Sequence, residues 1–199
     1  MLKEKQIIEA LNKLKVNNDV EKYIKILDSY NDKAINVSTD RSFQKKYNNF
    51  YKIRHPNKEF YKEYYSLMQD YKQTRKKLSF IDTVKYFYRF GRMDASYVSK
   101  LLATINQHLP IWDKYVLQYF KLEPPRRPPS YLDQDKRRIF QEKRILLAND
   151  VYKEIIQRYG DLLVTNESKK CEKMFDEYYP ENSITSIKKI DFIIWQTRG

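Results

Sequence analysis

The sequence predicts an all-α protein in which many short helices form one domain. Only three glycines occur in 199 residues, and Lys, Glu, Leu, Ile and Tyr are abundant. Apolar residues recur three and four positions apart along most of the chain, as they do in helices with one buried face. The length fits a single domain over residues 1–199, which could divide into helical lobes at 1–91 and 92–199 with a cleft between them.

The net charge favours a polyanionic partner. At pH 7 the chain carries a formal charge of +13, which indicates nucleic acid ahead of a membrane surface. The alternative is a compositional bias, because many Lys, Asn, Ile and Tyr residues also suggest an A+T-rich genome. A single cysteine, Cys171, excludes an internal disulfide framework and fits a reducing cytoplasm. No apolar leader or bilayer-length run is present, so we expect a cytoplasmic protein without a membrane partner.

The chain before residue 92 is predicted to form a series of amphipathic helices. Two short helices are expected at 3–15 and 19–30, and a polar link follows at 36–40. Ser79 caps a later helix, and Gly91 is expected to end that helix in a left-handed conformation.

The segment 41–77 is rich in both tyrosine and lysine. Its aromatic residues repeat at helical spacing, with basic residues such as Lys45, Lys46, Lys52 and Arg54 between them. Basic groups interleaved with rings could contact phosphates and stack on bases. The alternative is a buried aromatic stripe on helices whose lysines form a solvated face.

A proline-rich run at 123–130 predicts a stiff, extended connection. It could be a ligand for a proline-reading domain, or Arg126 and Arg127 could clamp a phosphate backbone. The simplest interpretation is a linker, and the run is the best candidate for a hinge.

The remaining chain is predicted to add three helices, at 136–159, near 168–178 and at 187–196. The first of these is predicted to bury Phe140, Leu147, Val151 and Ile155. The last is apolar nearly all round and should be central to the core. Asp191 lies inside that apolar run and must find a partner, most simply in a structural salt bridge or hydrogen-bond network.

The stretch 94–113 predicts a helix, a short turn and the start of another helix. Val98, Leu101, Leu102 and Ile105 form the apolar stripe of the first helix, and Pro110 ends the turn. Lys100 lies roughly opposite that stripe, among small residues. Such a helix face suits a surface that another molecule approaches closely. Asp113 heads the next helix and could face Lys100 across a narrow gap, as Schiff-base chemistry needs. The alternatives are a surface lysine and a simple N-cap.

Other chemistry is not supported by the sequence. Two histidines and one cysteine cannot make a typical zinc site. A Gly-rich nucleotide-binding loop and a Ser-His-Asp series are both missing. We therefore expect no metal, no nucleotide cofactor and no other cofactor. His108 lies in the turn between Lys100 and Asp113, where it could contact a phosphate or simply face solvent.

The residue pattern of the central stretch resembles that of the helix-hairpin-helix DNA glycosylases, and more loosely that of their 8-oxoguanine-specific branch. The matching parts are Ser99-Lys100-Leu-Leu-Ala, a turn ending Leu109-Pro110-Ile-Trp-Asp113, and Lys114-Tyr-Val. It also resembles bacterial members of that superfamily whose activity is uncharacterised. The family's Gly-x-Gly hairpin has no counterpart before Lys100. Lys100 and Asp113 are also closer in sequence than in the main branches.

The resemblance implies an all-α, two-lobed fold with the active site between the lobes. Lys100 would attack the sugar C1′ and would need a lowered pKa to be nucleophilic. Asp113 would orient the lysine and stabilise developing positive charge. The target base would be flipped out of the duplex to reach them.

We therefore interpret the chain as a DNA glycosylase-like protein that removes a damaged or modified base, with or without lyase activity. DNA is the expected partner, with RNA as the alternative. The alternatives in function are a non-catalytic nucleic-acid-binding protein of the same fold, and an interaction protein such as an element of defence against foreign DNA. The residues expected to contact nucleic acid are Lys45, Lys46, Lys52, Arg54, His108, Lys114, Arg126 and Arg127.

Overall fold

Ten helices and no strands make up the regular structure of residues 3–75 and 78–197, the part of the chain that the computed structural model describes. In chain order they are α1 Glu4–Asn17, α2 Asp19–Asn31, α3 Arg41–Tyr51, α4 Lys58–Thr74, α5 Phe80–Tyr88, α6 Ala95–Ile105, α7 Lys114–Phe120, α8 Gln134–Leu163, α9 Asn166–Tyr178 and α10 Ser186–Gln196. The predicted all-α fold is confirmed.

The aromatic residues of α3 and α4 form part of the core. Fully or almost fully buried rings include Phe43, Tyr47, Tyr51, Phe60, Tyr64 and Tyr65. The hydroxyls of Tyr47 and Tyr64 lie 3.1 Å apart in this interior. Most rings of this segment are therefore closed to bases, in agreement with the buried-stripe alternative, whereas Phe50 and Tyr51 also line a cavity described below. Lys45 and Lys46 are exposed on the outer face of α3.

Ser79 caps α5 as predicted, but Gly91 does not end this helix. The Ser79 hydroxyl oxygen accepts a hydrogen bond from the Asp82 N–H at 3.1 Å. The helix ends at Tyr88, and the next residue, Arg89, is still right-handed. Gly91 has a left-handed φ of +83°, and its N–H donates to the Tyr88 carbonyl at 2.8 Å. The left-handed glycine thus belongs to the turn that follows the helix.

The long helix α8 buries a different stripe from the one predicted. Its buried residues are Gln141, Ile145, Ala148, Tyr152, Ile155 and Tyr159. Ile155 was correctly placed, Phe140 and Val151 are half-buried, and Leu147 is 56% exposed. Leu147 is rotated by about 100° from Ala148 around the helix axis, which is enough to turn it away from the core. The helix also continues through Gly160 to Leu163.

The final helix, α10, is central to the core as predicted. It packs on α1, α7, α8 and α9, and Ile187, Ile190, Phe192, Ile193 and Ile194 are all buried. Asp191 has the partners that its burial requires. Its carboxylate lies 3.2 Å from the Lys188 ammonium and accepts a hydrogen bond from the Tyr159 hydroxyl.

A contiguous set of buried apolar residues extends from Ile7 in α1 to Ile194 in α10. The division into lobes 1–91 and 92–199 stays a prediction. Among the described residues, no helix combines the length and the apolar character required to cross a bilayer.

Candidate active site

A cavity of about 110 Å³ lies where α3, α6, α7 and α10 meet. Its lining residues are Phe50, Tyr51, Lys52, Lys100, Ile111, Asp113, Val116, Lys188, Asp191, Phe192 and Trp195. A single water molecule needs roughly 10–15 Å³, so the cavity has room for a small organic group. The structure therefore brings Lys100 and Asp113, both expected from the sequence, to the walls of one cavity.

Lys100 is buried, and the helix that carries it has almost no solvated face. Residues on both sides of α6 are buried. On the side of the small residues, the Thr104 hydroxyl lies 3.2 Å from the Tyr47 hydroxyl of α3. The surface predicted to receive an external molecule is thus covered mainly by the chain itself. Lys100 is 9% exposed, and its Nζ donates a hydrogen bond to the Tyr51 carbonyl at 3.0 Å.

The environment of Lys100 favours its neutral amine. Burial lowers the pKa of Lys100 to about 8; the negative charge of Asp113 opposes this shift, and the positive charge of Lys188 adds to it. The direction is the one that the resemblance implies for a nucleophilic lysine. Within residues 3–75 and 78–197, Lys100 has no ion pair with a carboxylate at 4.0 Å or less. Asp113 therefore acts on the amine across the cavity without contacting it.

Asp113 is an N-cap and also faces the cavity. Its Oδ1 accepts a hydrogen bond from the Tyr115 N–H at 2.8 Å and so begins α7. In the described part of the chain, no hydrogen bond or ion pair occupies its other oxygen, and the residue is half-buried. The N-cap alternative and the cavity-facing role are thus compatible. One oxygen can fix the helix while the carboxylate supplies negative charge opposite Lys100.

A second lysine and aspartate, Lys188 and Asp191, line the same cavity. The Lys188 ammonium lies 5.3 Å from the centre of the Tyr23 ring, in addition to its contact with Asp191. Burial raises the pKa of Asp191, and the Lys188 charge and the Tyr159 hydroxyl oppose that shift. The sequence marked Asp191 as needing a partner, and the i, i+3 spacing to Lys188 was the signal that could have supplied it. Their position beside Lys100 follows from the packing of α10.

A more open groove of about 450 Å³ adjoins the cavity. Its lining residues are Asn17, Asp19, Lys22, Lys52, Asp113, Lys114, Tyr115 and Trp195. Lys52, Asp113 and Trp195 line both the groove and the cavity. Lys52 and Lys114 were expected from the sequence to contact nucleic acid. Lys22 was not expected to do so, because its position at the groove depends on how α2 packs on the rest of the fold.

The other basic residues expected at a nucleic-acid interface lie outside these two concavities. Lys45, Lys46, Arg54, His108, Arg126 and Arg127 are exposed, and none of them lines the cavity or the groove. Their contact with nucleic acid stays a prediction.

The histidines are separated from each other. His55 is buried, with its Nε2 3.3 Å from a carboxylate oxygen of Asp94, whereas His108 is exposed in its turn. Over the described residues, no three side chains of His, Cys, Asp or Glu come together in a way that could hold a metal ion.

The turn between Lys100 and Asp113 is held at three points. The Ser99 hydroxyl accepts a hydrogen bond from the Trp112 N–H at 2.8 Å. The Tyr152 hydroxyl donates to the Pro110 carbonyl at 2.9 Å. The Thr185 hydroxyl donates to the Gln107 carbonyl at 2.8 Å. Because Ser99 adjoins Lys100 and Trp112 adjoins Asp113, the first of these bonds joins the two backbone segments that carry the amine and the carboxylate.

Replacing Ser99 by alanine is expected to lower the free energy of unfolding by about 1–3 kcal/mol, because the buried Trp112 N–H loses its acceptor. Urea unfolding measures the change. Ser29→Ala is the matched control, since the Ser29 hydroxyl donates to the Lys25 carbonyl of its own helix at 2.8 Å. Its effect should stay within about 0.5 kcal/mol. Equal losses in the two variants would contradict a special role for Ser99.

Comparison of the chain with protein-family models, with curated proteins and with solved structures finds no match. The function therefore has to be argued from the cavity, its charged residues and the adjoining groove.

Proposed function

We propose that the protein is a DNA glycosylase-like enzyme that removes a damaged or modified base through a lysine nucleophile. The observation that carries the proposal is the buried Lys100 amine, with a pKa of about 8, in a cavity that it shares with Asp113. With this pKa roughly a tenth of the amine is neutral at pH 7, a far larger fraction than for an exposed lysine, and the neutral amine is the form that attacks a sugar C1′. The chain's formal charge of +13 supports a polyanionic substrate.

The cavity supplies an apolar environment for a flipped nucleotide. Phe50, Phe192 and Trp195 present aromatic side chains to it. Enzymes that act on a base extrude the nucleotide from the stack and hold the base against such side chains. The charged side chains Lys100 and Asp113 then lie beside the sugar.

The proposed reaction conserves charge and atoms. The Lys100 nitrogen forms a bond to C1′, and the bond between C1′ and the base breaks with its electron pair leaving on the base. The Asp113 carboxylate stabilises the positive charge that develops on the sugar; through a water molecule it takes one proton from the amine and passes it to the departing base. The ring then opens as the C1′–O4′ bond breaks and the nitrogen lone pair forms the C1′=N bond. O4′ takes the remaining proton of the nitrogen, which leaves a neutral Schiff base between Lys100 and C1′.

Borohydride trapping tests the proposal, because it reduces a Schiff base to a stable protein–DNA adduct. Wild-type protein is expected to be trapped on oligonucleotides that carry a panel of damaged or modified bases, or an abasic site. Lys100→Met is expected to abolish the adduct. Lys136→Met is the matched control, since Lys136 is exposed on α8 and lines neither the cavity nor the groove; it should still form the adduct. Equal trapping of wild type and Lys100→Met would contradict the proposal.

The trapping rate should rise with pH to a plateau above the Lys100 pKa of about 8. Below that pKa the neutral fraction of the amine falls tenfold per pH unit, so the single-turnover rate at pH 6 should be about a hundredfold below the plateau. A flat profile between pH 6 and pH 9 would contradict attack by this amine.

The second candidate is a non-catalytic nucleic-acid-binding protein. The observation that favours it is the hydrogen bond from the Lys100 amine to the Tyr51 carbonyl at 3.0 Å, which gives this lysine a structural role. Salt-dependent DNA binding without any trapped adduct would support this candidate.

A further inference from the structure

The groove beside the cavity carries lysines that the fold does not neutralise. Lys52 and Lys114 are exposed, and among the described residues neither forms an ion pair with a carboxylate at 4.0 Å or less. The Lys114 ammonium lies 4.6 Å from the centre of the Tyr115 ring. The Lys22 ammonium donates a hydrogen bond to the Asn17 carbonyl at 2.6 Å and lies 3.8 Å from the Asp19 carboxylate, but the residue stays exposed. The groove therefore presents ammonium groups whose charge is available to an anion.

The two aspartates of the groove do not cancel this charge. Asp19 is buried, and its Oδ2 accepts a hydrogen bond from the Gln196 side chain at 2.9 Å. One carboxylate oxygen of Asp113 accepts the hydrogen bond that caps α7. Both carboxylates are thus tied to the fold, whereas Lys22, Lys52 and Lys114 are exposed. The lining has three lysines and two aspartates, so the groove keeps a net positive charge.

The groove is continuous with the cavity. Lys52 and Trp195 line both, so one ligand can extend from the lysines to Lys100. Lys52 holds this boundary position from the residue after α3, where its φ is 54°. A ligand that occupies both concavities must join an anionic part to a part that fits an apolar, aromatic cavity. A nucleotide within a strand has this chemistry, because its phosphodiester is joined to a flat ring system.

We infer that the groove binds the phosphodiester backbone beside the nucleotide that enters the cavity, with Lys22, Lys52 and Lys114 contacting the phosphates. The inference rests on the proposed function for the occupant of the cavity. It goes further by placing the phosphodiester backbone of that substrate in this groove, and by adding Lys22 to its contacts. A membrane surface would also offer phosphates, but its headgroups present no ring system to the cavity.

The test measures how strongly DNA binding depends on salt. Each phosphate contact by lysine contributes about 0.9 to the slope of log K against log salt concentration for duplex DNA, and about 0.7 for a single strand. The variant Lys22→Gln/Lys52→Gln/Lys114→Gln should therefore reduce the slope by about three units for duplex oligonucleotides and by about two for single-stranded ones. Fluorescence anisotropy with labelled oligonucleotides, DNA and RNA in parallel, measures the affinities.

A matched control removes the same charge elsewhere. Lys136, Lys143 and Lys153 are exposed on α8 and line neither concavity. The variant Lys136→Gln/Lys143→Gln/Lys153→Gln should leave the slope within about one unit of wild type. Equal reductions in both variants would mean that only net charge matters, and the inference would be wrong. It would also be wrong if the groove variant lost binding to phosphatidylglycerol vesicles but kept its affinity for oligonucleotides.

The readouts separate this inference from the proposed function. A reduced slope in the groove variant without trapping by the wild type would uphold the groove and reject the glycosylase. Trapping by the wild type, with an unchanged slope in the groove variant, would uphold the glycosylase and reject the groove.

Discussion

Replacing Lys100 by methionine is expected to raise the free energy of unfolding at pH 7 by about 2 kcal/mol. Folding lowers the pKa of this lysine from 10.5 to about 8. At about 1.4 kcal/mol per unit, holding the protonated amine in the fold costs about 3 kcal/mol. The variant also loses the hydrogen bond to the Tyr51 carbonyl, which offsets about 1 kcal/mol of the gain. A variant that is more stable than the wild type but inactive would indicate that the lysine has a catalytic role and lowers the stability of the fold.

The pH dependence of this gain has a definite sign. Below pH 8 the lysine is protonated in both the folded and the unfolded chain, so the full gain is present. Between about 8 and 10.5 the unfolded chain binds more protons, so the stability of the wild type rises with pH and the gain shrinks. Above 10.5 the gain is lost. Urea unfolding at pH 7 and pH 10 measures it, and exposed Lys45→Met should change stability by less than about 0.5 kcal/mol at either pH.

Replacing Asp191 by alanine is expected to lower the free energy of unfolding by about 3–5 kcal/mol. The change leaves the Lys188 ammonium buried without its carboxylate, which lies at 3.2 Å in the wild type. It also removes the acceptor of the Tyr159 hydroxyl. Denaturant unfolding followed by circular dichroism measures the loss.

Two further variants show whether the loss comes from an unpaired buried charge. Glu154→Ala removes one member of a surface pair with Arg158 at 2.8 Å, and it should lower stability by at most about 1 kcal/mol. The double variant Lys188→Met/Asp191→Leu removes both buried charges, so it should recover most of the stability lost in Asp191→Ala. A double variant as unstable as the single one would contradict this explanation.

The helical architecture could be predicted because its signals are local. The spacing of apolar residues and a cap such as Ser79 depend on residues within a turn or two of each other. The wrong predictions arose where the local residue pattern is compatible with more than one structure. The apolar residues of α8 are compatible with two neighbouring stripes. The packing of α5 on α8, where the ring centres of Phe80 and Tyr152 lie 4.0 Å apart, decides between them. Gly160 is tolerated within α8 because a single glycine weakens a helix by only about 1 kcal/mol.

The candidate site was predictable only in part, for a related reason. Lys100 and Asp113 belong to one helix–turn–helix segment, so their proximity follows from local structure. Lys188 and Asp191 reach the cavity from α10, and Lys22 reaches the groove from α2. Their positions depend on long-range packing, which composition and periodicity do not encode. Long-range packing also decides what covers the small residues of α6. Their pattern in the sequence does not reveal that α3 packs against them.

The pairing of α1 with α10 has a consequence for biosynthesis. Translation produces α1 before α10, the helix with which it makes its largest contact, and α10 emerges only after the eight helices between them. Until α9 and α10 emerge, the apolar stripe of α1, with Ile7, Leu11 and Leu14, has only α2 to pack against. Contacts between segments so distant in sequence form late and slowly, and a nascent chain that exposes apolar surface in the meantime is a substrate for chaperones.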